Sequence, residues 1–282
     1  MTGVVDQSRR TPARRDTSVN RRQLSLFGGR KALLLGTVVG LVAMAMPGSA
    51  LAGNPGGGTC SGGAIHAGTY RGLTVTGTCT IDAGAVVQID GNLTVGGGAI
   101  LNDHAASTAE VHVTGNVRVG RGAILGLGSY ATPGSVGPDT VGGSIVADRP
   151  LTLYLGGVTV GGSVVSIGGG LSSTSVTDFR NFPIKDNVIH GNLLVAGWRG
   201  GWIGAIRNHV GRNVIVFRNV SRSNPETGPG TDADSTEVQT NVIGGNLICF
   251  GNSPDAQVNS GDGGQPNIVG GHAMGECAGL AL

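Results

Sequence analysis

Aromatic residues, charges and helical patterning are all scarce in this chain, and each scarcity excludes something. Phe, Trp and Tyr supply 4% of the 282 residues, and charged residues supply 13%. That is an unusual make-up for an ordinary globular domain. No long apolar run at a 3.6-residue period follows residue 53, which argues against helical architecture. No C-x2-C spacing exists to seed a four-ligand zinc site. No Gly-x-Ser-x-Gly, phosphate-binding loop or nucleotide fingerprint occurs in a suitable strand-to-helix context. What the chain has instead is glycine, 54 residues of it. It lacks the Gly-X-Y period of collagen, and it keeps too much Val, Ile and Leu for a disordered polymer.

The first 52 residues read as a cleavable signal peptide. A basic stretch from Arg9 to Lys31 precedes an apolar run, Ala32 to Met46, and the segment closes on Ala50-Leu51-Ala52. Fifteen apolar residues fall short of the ~20 needed for a permanent span, so no stable membrane span is expected after cleavage. Arg21-Arg22 resembles a twin-arginine signal, and Sec export is the alternative. The expected location is therefore secreted or associated with the cell envelope. Of the 19 basic and 17 acidic residues, eight and two lie in this segment. The remaining 11 and 15 give residues 53–282 a formal charge of −4, and a nucleic-acid partner is not expected. The four cysteines, Cys60, Cys79, Cys249 and Cys277, form two pairs, one near each end of the mature chain. An even count in an exported chain favours disulfides, most simply Cys60–Cys79 and Cys249–Cys277.

An internal repeat accounts for the composition. Gly91-Asn92-Leu93-Thr94-Val95, Gly115-Asn116-Val117-Arg118-Val119, Gly191-Asn192-Leu193-Leu194-Val195 and Gly245-Asn246-Leu247-Ile248 share one frame. Strand-opening apolar residues recur at 73, 93, 117, 145, 164, 193, 214, 247 and 273, with spacings of 19 to 33. A second frame, Asn-x-Ile/Val-x-Gly, begins at Asn187, Asn241 and Asn267, and Asn208 follows the same pattern. These intervals suit one circuit of a parallel β-helix. The expected fold is all-β: a single right-handed parallel β-helix of about nine turns over residues 53–282. At ~4.8 Å per turn it would be a rod about 40 Å long. The longer insertions, 126–140, 168–186, 218–240 and 251–266, are expected on one side of it.

The stretches 91–101 and 115–125 resemble bactofilin-type polymer-forming repeats, which are β-solenoids that assemble end to end. The disulfides and export signal depart from that family. The broader resemblance is to parallel β-helices of the pectate-lyase type, which implies a carbohydrate-active alternative. The hydrolases among those proteins would show paired Asp residues and a Gly-His-Gly. Here Gly271-His272-Ala273 is the nearest match, and no Asp-Asp pair occurs. A lyase would need a carboxylate cluster and a base, for which Asp82, Asp90 and Asp103 are the candidates, Asp82 and Asp90 on one face. Asp232-Ala233-Asp234 is a possible calcium loop.

No catalytic or metal site and no cofactor is assigned from the sequence. His190 and His209 are not expected to stack in register. Trp198, Arg199 and Trp202 form the one aromatic cluster, a candidate surface for stacking on sugar rings. The alternative is that the tryptophans cover a wide part of the core. The expected function is an exported, non-enzymatic structural or surface-interaction protein, for adhesion or assembly. Its partners would be a second copy of itself or a cell-surface polysaccharide.

Overall fold

A computed structural model gives the fold and describes residues 57–103, 108–129, 134, 136–171, 181–221, 236–260 and 263–282. Residues 1–52, expected to be a signal peptide, and His104, Asp232, Asp234 and Asp262 lie outside the described residues. The described residues are mostly short parallel strands, the arrangement of a parallel β-solenoid. Each circuit but the last contributes to each of three faces.

The first face stacks the strands that open after the Gly-Asn frame. Leu73, Leu93, Val117, Ile145, Val164, Leu193, Val214, Leu247 and Ala273 lie directly over one another. Every strand-opening residue expected from the repeat is in that column. The second face stacks Ile100–Asn102, Ile124–Gly128, Thr152–Gly156, Asn181–Lys185, Trp202–Ile206, Thr236–Gln239 and Ala256–Gln257. The third is a nine-stranded sheet running from Gly68–Tyr70 to Ile268–Val269. Alternate residues point inward, as a strand requires. Val, Leu and Ile then stack on their own kind, and one continuous core of small apolar side chains forms with few aromatics.

Amide ladders stitch the corners: one along the Gly-Asn frame, one at the entry to the third face, and a shorter one between the first and second faces, from Trp198 through Asn219 and Asn252 to Glu276. At the Gly-Asn corner each backbone N–H donates to the side-chain oxygen one circuit earlier. Asn116 N donates to Asn92 Oδ1 (2.8 Å), and Ser144 N to Asn116 Oδ1 (2.9 Å). The series runs on through Ser163, Asn192, Asn213 and Asn246 to the His272 N–H. The glycine of the frame follows from this stacking. A Cβ at Gly115 would lie 2.6 Å from Asn92 Oδ1, and one at Gly245 2.6 Å from Asn213 Oδ1.

At the entry to the third face a buried ladder runs the opposite way. Asn187 N and Nδ2 donate to Asn208 Oδ1 (3.1 and 2.9 Å), Asn208 does the same to Asn241, and Asn241 to Asn267. Each Nδ2 also donates to a strand-end carbonyl: Leu155, Ile184, Ala205 and Val238 in turn. Every buried amide is satisfied, so the ladder escapes the cost of unpaired polar groups.

Both expected disulfides form. Cys60–Cys79 joins the first two stacked strands. Cys249–Cys277 ties the Leu247–Phe250 strand to a closing 3-10 turn, Glu276–Gly279. The insertions do not share one side. Residues 129–139 and 258–267 leave between the second and third faces, whereas 168–180 and 222–235 leave between the first and second. They therefore leave the coil at two corners, one before and one after the second face.

Candidate functional site

The structure separates the three residues of the aromatic cluster. Trp198 points inward and is 0% exposed. Its indole Nε1 donates to Leu151 O (3.1 Å), and its ring centroid lies 5.3 Å from that of Phe182. It fills a wide part of the core and has no solvent face on which a sugar could stack. Arg199 is exposed at the corner between the first and second faces, on a short strand paired with Val220–Ser221. Trp202 opens a second-face strand and is half-buried on its outward side.

Around Trp202 the outward side of the second face forms a cleft of about 380 Å³ lined by Asn181, Lys185, Trp202, Ile206, Arg207, Glu237 and Gln239. The strand register explains the grouping, because Asn181 stacks on Trp202, and Lys185, Ile206 and Gln239 form one column. The Trp202 ring lies across Gly204, where a Cβ would collide with it. The Lys185 ammonium sits 4.6 Å from the ring centroid, a cation–π contact. Glu237 and Gln239 point outward yet are only 3% and 4% exposed. They are walled by the following segment: Asn259 Nδ2 donates to Glu237 Oε1 (3.1 Å) and Asn259 N to Gln239 Oε1 (2.6 Å).

At the ends of these strands lies an ion pair. Arg207 Nε and Nη2 donate to the two oxygens of Asp186 at 2.6 and 2.8 Å, and the Asp186 carboxylate is nearly inaccessible to solvent. The hydrogen bond to Asp186 holds the guanidinium above its already high pKa, against the opposing effect of burial. Both residues have left-handed backbones, φ 61° and 55°. That conformation costs of order 1–3 kcal/mol for a residue other than glycine. Two side chains are thus held at corner positions that glycine would occupy without strain.

A second outward surface is apolar. On the first face Val146, Val165, Leu194, Ile215, Ile248 and Met274 form one outward column. Ile167, Ala196, Phe217 and Phe250 form the next. Ile167 is 54% exposed and Phe250 47%. The same column in the early circuits is Thr74, Thr94 and Arg118. Arg218, 4.9 Å from the Phe217 ring centroid, and the Arg149–Asp148 pair border the stripe. The alternation of the repeat contained this signal, since the first outward position of six successive copies is apolar. The Trp202 cleft was visible only as its one tryptophan.

The other sequence candidates are dispersed. Asp82 follows a second-face strand and lies 2.6 Å from His66 Nδ1, whereas Asp90 follows a third-face strand and accepts from Gln88 Nε2. They stand at different corners, because the short third-face strand lies between them. Asp103 is buried, near Asp139. His209 stacks on Val188 and Val242, and His190 is out of that register. Among the described residues no group of three His, Cys, Asp or Glu side chains is placed to hold a metal ion. Among them, too, no helix is long and apolar enough to cross a membrane.

Comparison of the chain with protein-family models, with curated proteins and with solved structures finds no match. The likeness to bactofilin-type and pectate-lyase-type proteins thus rests on the stacked parallel coil alone.

Proposed function

We propose that this is an exported, non-enzymatic structural or surface-interaction protein, and that mature chains associate side by side through the apolar stripe of the first face. The reading takes residues 1–52 as a signal removed by Sec or twin-arginine export. It takes the remainder as a right-handed coil of about nine turns, in the secreted space or at the envelope. The two disulfides support an oxidising compartment.

The stripe carries the reading. Six strands at about 4.8 Å, each about four residues wide, cover roughly 350 Å² in projection. That matches the largest apolar patch of a typical monomer. A specific interface buries about 800 Å² per partner, so polar margins would complete it around an apolar centre. A second copy suits this surface because its rows repeat at the spacing of stacked strands. An identical sheet face meets it row for row, as two sheets do when they pack about 10 Å apart.

Sedimentation velocity on the chain from residue 53 tests this. Dimers or larger species are expected across the micromolar range. Ile215→Glu together with Phe250→Glu is expected to give monomers with an unchanged circular dichroism spectrum. A wild-type chain that stays monomeric, or an association that ignores both substitutions, overturns the reading.

A further inference from the structure

We infer that Asp103 and Asp139 share a single proton and form a pH-sensitive latch between two circuits, closed at acid pH and released as pH rises. The inference does not depend on lateral association, which uses the first face.

Register puts both carboxyls where the coil otherwise holds an aliphatic side chain. Along the second face one inward column holds Ile65, Ile81, Leu127, Leu155 and Ile184. Asp103 follows the strand Ile100–Asn102 and takes the place between Ile81 and Leu127. At the entry to the third face Asp139 takes the place between Val111 and Val158. Both are buried, 3% and 1% exposed. Asp103 ends the second face of one circuit and Asp139 opens the third face of the next. The two side chains thus enter the same corner one strand spacing apart, where Asp103 hydrogen-bonds to Asp139.

Two carboxylates in contact cannot both stay ionised in a dry interior, because like charges repel there. Carboxylate oxygens only accept, so a bond between the two groups needs one proton. The surroundings leave room for it. Val111 N–H donates to Asp139 Oδ1 (2.9 Å), whereas Asp139 Oδ2 is enclosed and is reached by no N–H or O–H donor among the described residues. The charged groups that act on Asp139, Asp103 and Glu110, are both acidic. Glu110 itself lies 3.5 Å from His112 Nε2, and His112 Nδ1 lies 3.0 Å from Thr140 Oγ1. Asp82, one residue beyond Ile81, is held against His66 Nδ1 (2.6 Å). The facing strands Ile124–Gly128 and Thr159–Val160 carry no titratable side chain.

This corner has no amide ladder to keep it shut, since Val87 and Val111 precede Asp139 in its column. The pair loses its protons in two steps, and the upper step is the release. Burial holds Asp139 above the usual carboxyl range, so the proton is bound more tightly in the folded chain than in the unfolded one. The stabilisation is therefore complete at acid pH and is lost as pH rises through the folded pKa, above about 4. Beyond that point each pH unit favours the open corner about tenfold.

Hydrogen exchange of the Val111 amide, which is bonded to Asp139, tests the inference between about pH 4 and about pH 8 once the intrinsic pH dependence of exchange is divided out. Protection is expected to fall about tenfold or more across that range, with an unchanged circular dichroism spectrum. Asp103→Asn and Asp139→Asn each put an amide hydrogen, which does not titrate, in place of the shared proton. Either change alone is expected to abolish the fall. The Asn208 amide, bonded in the later ladder, is expected to keep its protection throughout. A wild-type Val111 amide equally protected at both ends of the range overturns the inference. So does a fall that Asp139→Asn removes but Asp103→Asn leaves, because Asp139 would then titrate alone. A parallel fall at Asn208 overturns it too, since the opening would be global.

Discussion

Circuits before residue 140 and circuits after residue 180 share one plan but close their corners with different chemistry. At the entry to the third face the early column holds Val87 and Val111, both buried, and then Asp139. The later column holds Asn187, Asn208, Asn241 and Asn267, each bonded to the next. The outward first face changes in parallel, from Thr74, Thr94 and Arg118 to the apolar stripe. An apolar corner is held by burial alone and tolerates small changes of spacing. An amide ladder demands register, because each rung satisfies the one before it. The later circuits are therefore the more specified half, and they carry both candidate surfaces.

Breaking a rung should have the largest effect. Asn208→Val installs the residue type of the early column. It leaves Ile184 O and the Asn187 N–H without their side-chain partner, and it removes one of the two bonds made by Asn241 Oδ1 and by Asn187 Nδ2. A loss of about 3–5 kcal/mol in urea unfolding is expected. Val111→Ala in the early column should cost about 2 kcal/mol from the methyls removed and the space left. Equal costs would mean that the ladder adds nothing to register.

Next come the end staples. Replacing Cys249 and Cys277 with Ser should cost about 2–4 kcal/mol. It should exceed the same change at Cys60 and Cys79. The loop is longer, 28 residues against 19. The 3-10 turn it anchors also presents Glu276, whose carboxylate accepts from Asn252 N (2.9 Å) and Nδ2 (2.7 Å). Calorimetry of the two double variants decides the order, and an unchanged melting temperature in both would remove the staples from the account.

The smallest effect sharpens the comparison at Asp139, where the early column turns polar without becoming an amide. Burial pushes this carboxyl above the usual range, and Glu110 adds to the push. The Val111 and Gly128 amides and the Asp103 side chain oppose it. A raised carboxyl stabilises the fold at acid pH, and that contribution fades as pH climbs through its folded pKa. Asp139→Asn keeps an acceptor for Val111 N and carries no charge. It should gain about 0.5–1.5 kcal/mol at pH 7, with the gain shrinking towards pH 4. A gain that is flat with pH would show that ionisation of Asp139 is not the cause.

Much of the coil could be read from the chain. The nine strand-opening residues stack as their recurrence implied, since a solenoid repeats its contacts at the period of its sequence. The cysteine pairs also followed from position. The insertions did not: their shared composition hid the fact that they leave at two corners. Trp198 and Trp202 look alike in sequence, four residues apart. The bend at Gly201, after the short Arg199–Gly200 strand, turns the chain between them, so one enters the core and the other faces out. The cleft was hidden for a related reason. Lys185, Arg207 and Glu237 come from three circuits and meet only through register. A single copy of the repeat holds no trace of that meeting.

In the later circuits the opposed hydrogen-bond polarity of the Gly-Asn and third-face ladders makes each circuit an interchangeable module. From Asn187 to Asn246 each coil receives a donor at the Gly-Asn corner from the following coil, which offers it an acceptor at the other. Excising residues 193–213 would set Asn192 before Val214 and bring Asn187 over Asn241, with both terminal closures untouched. Length in this architecture is then set by counting circuits and can change by whole units without a new core.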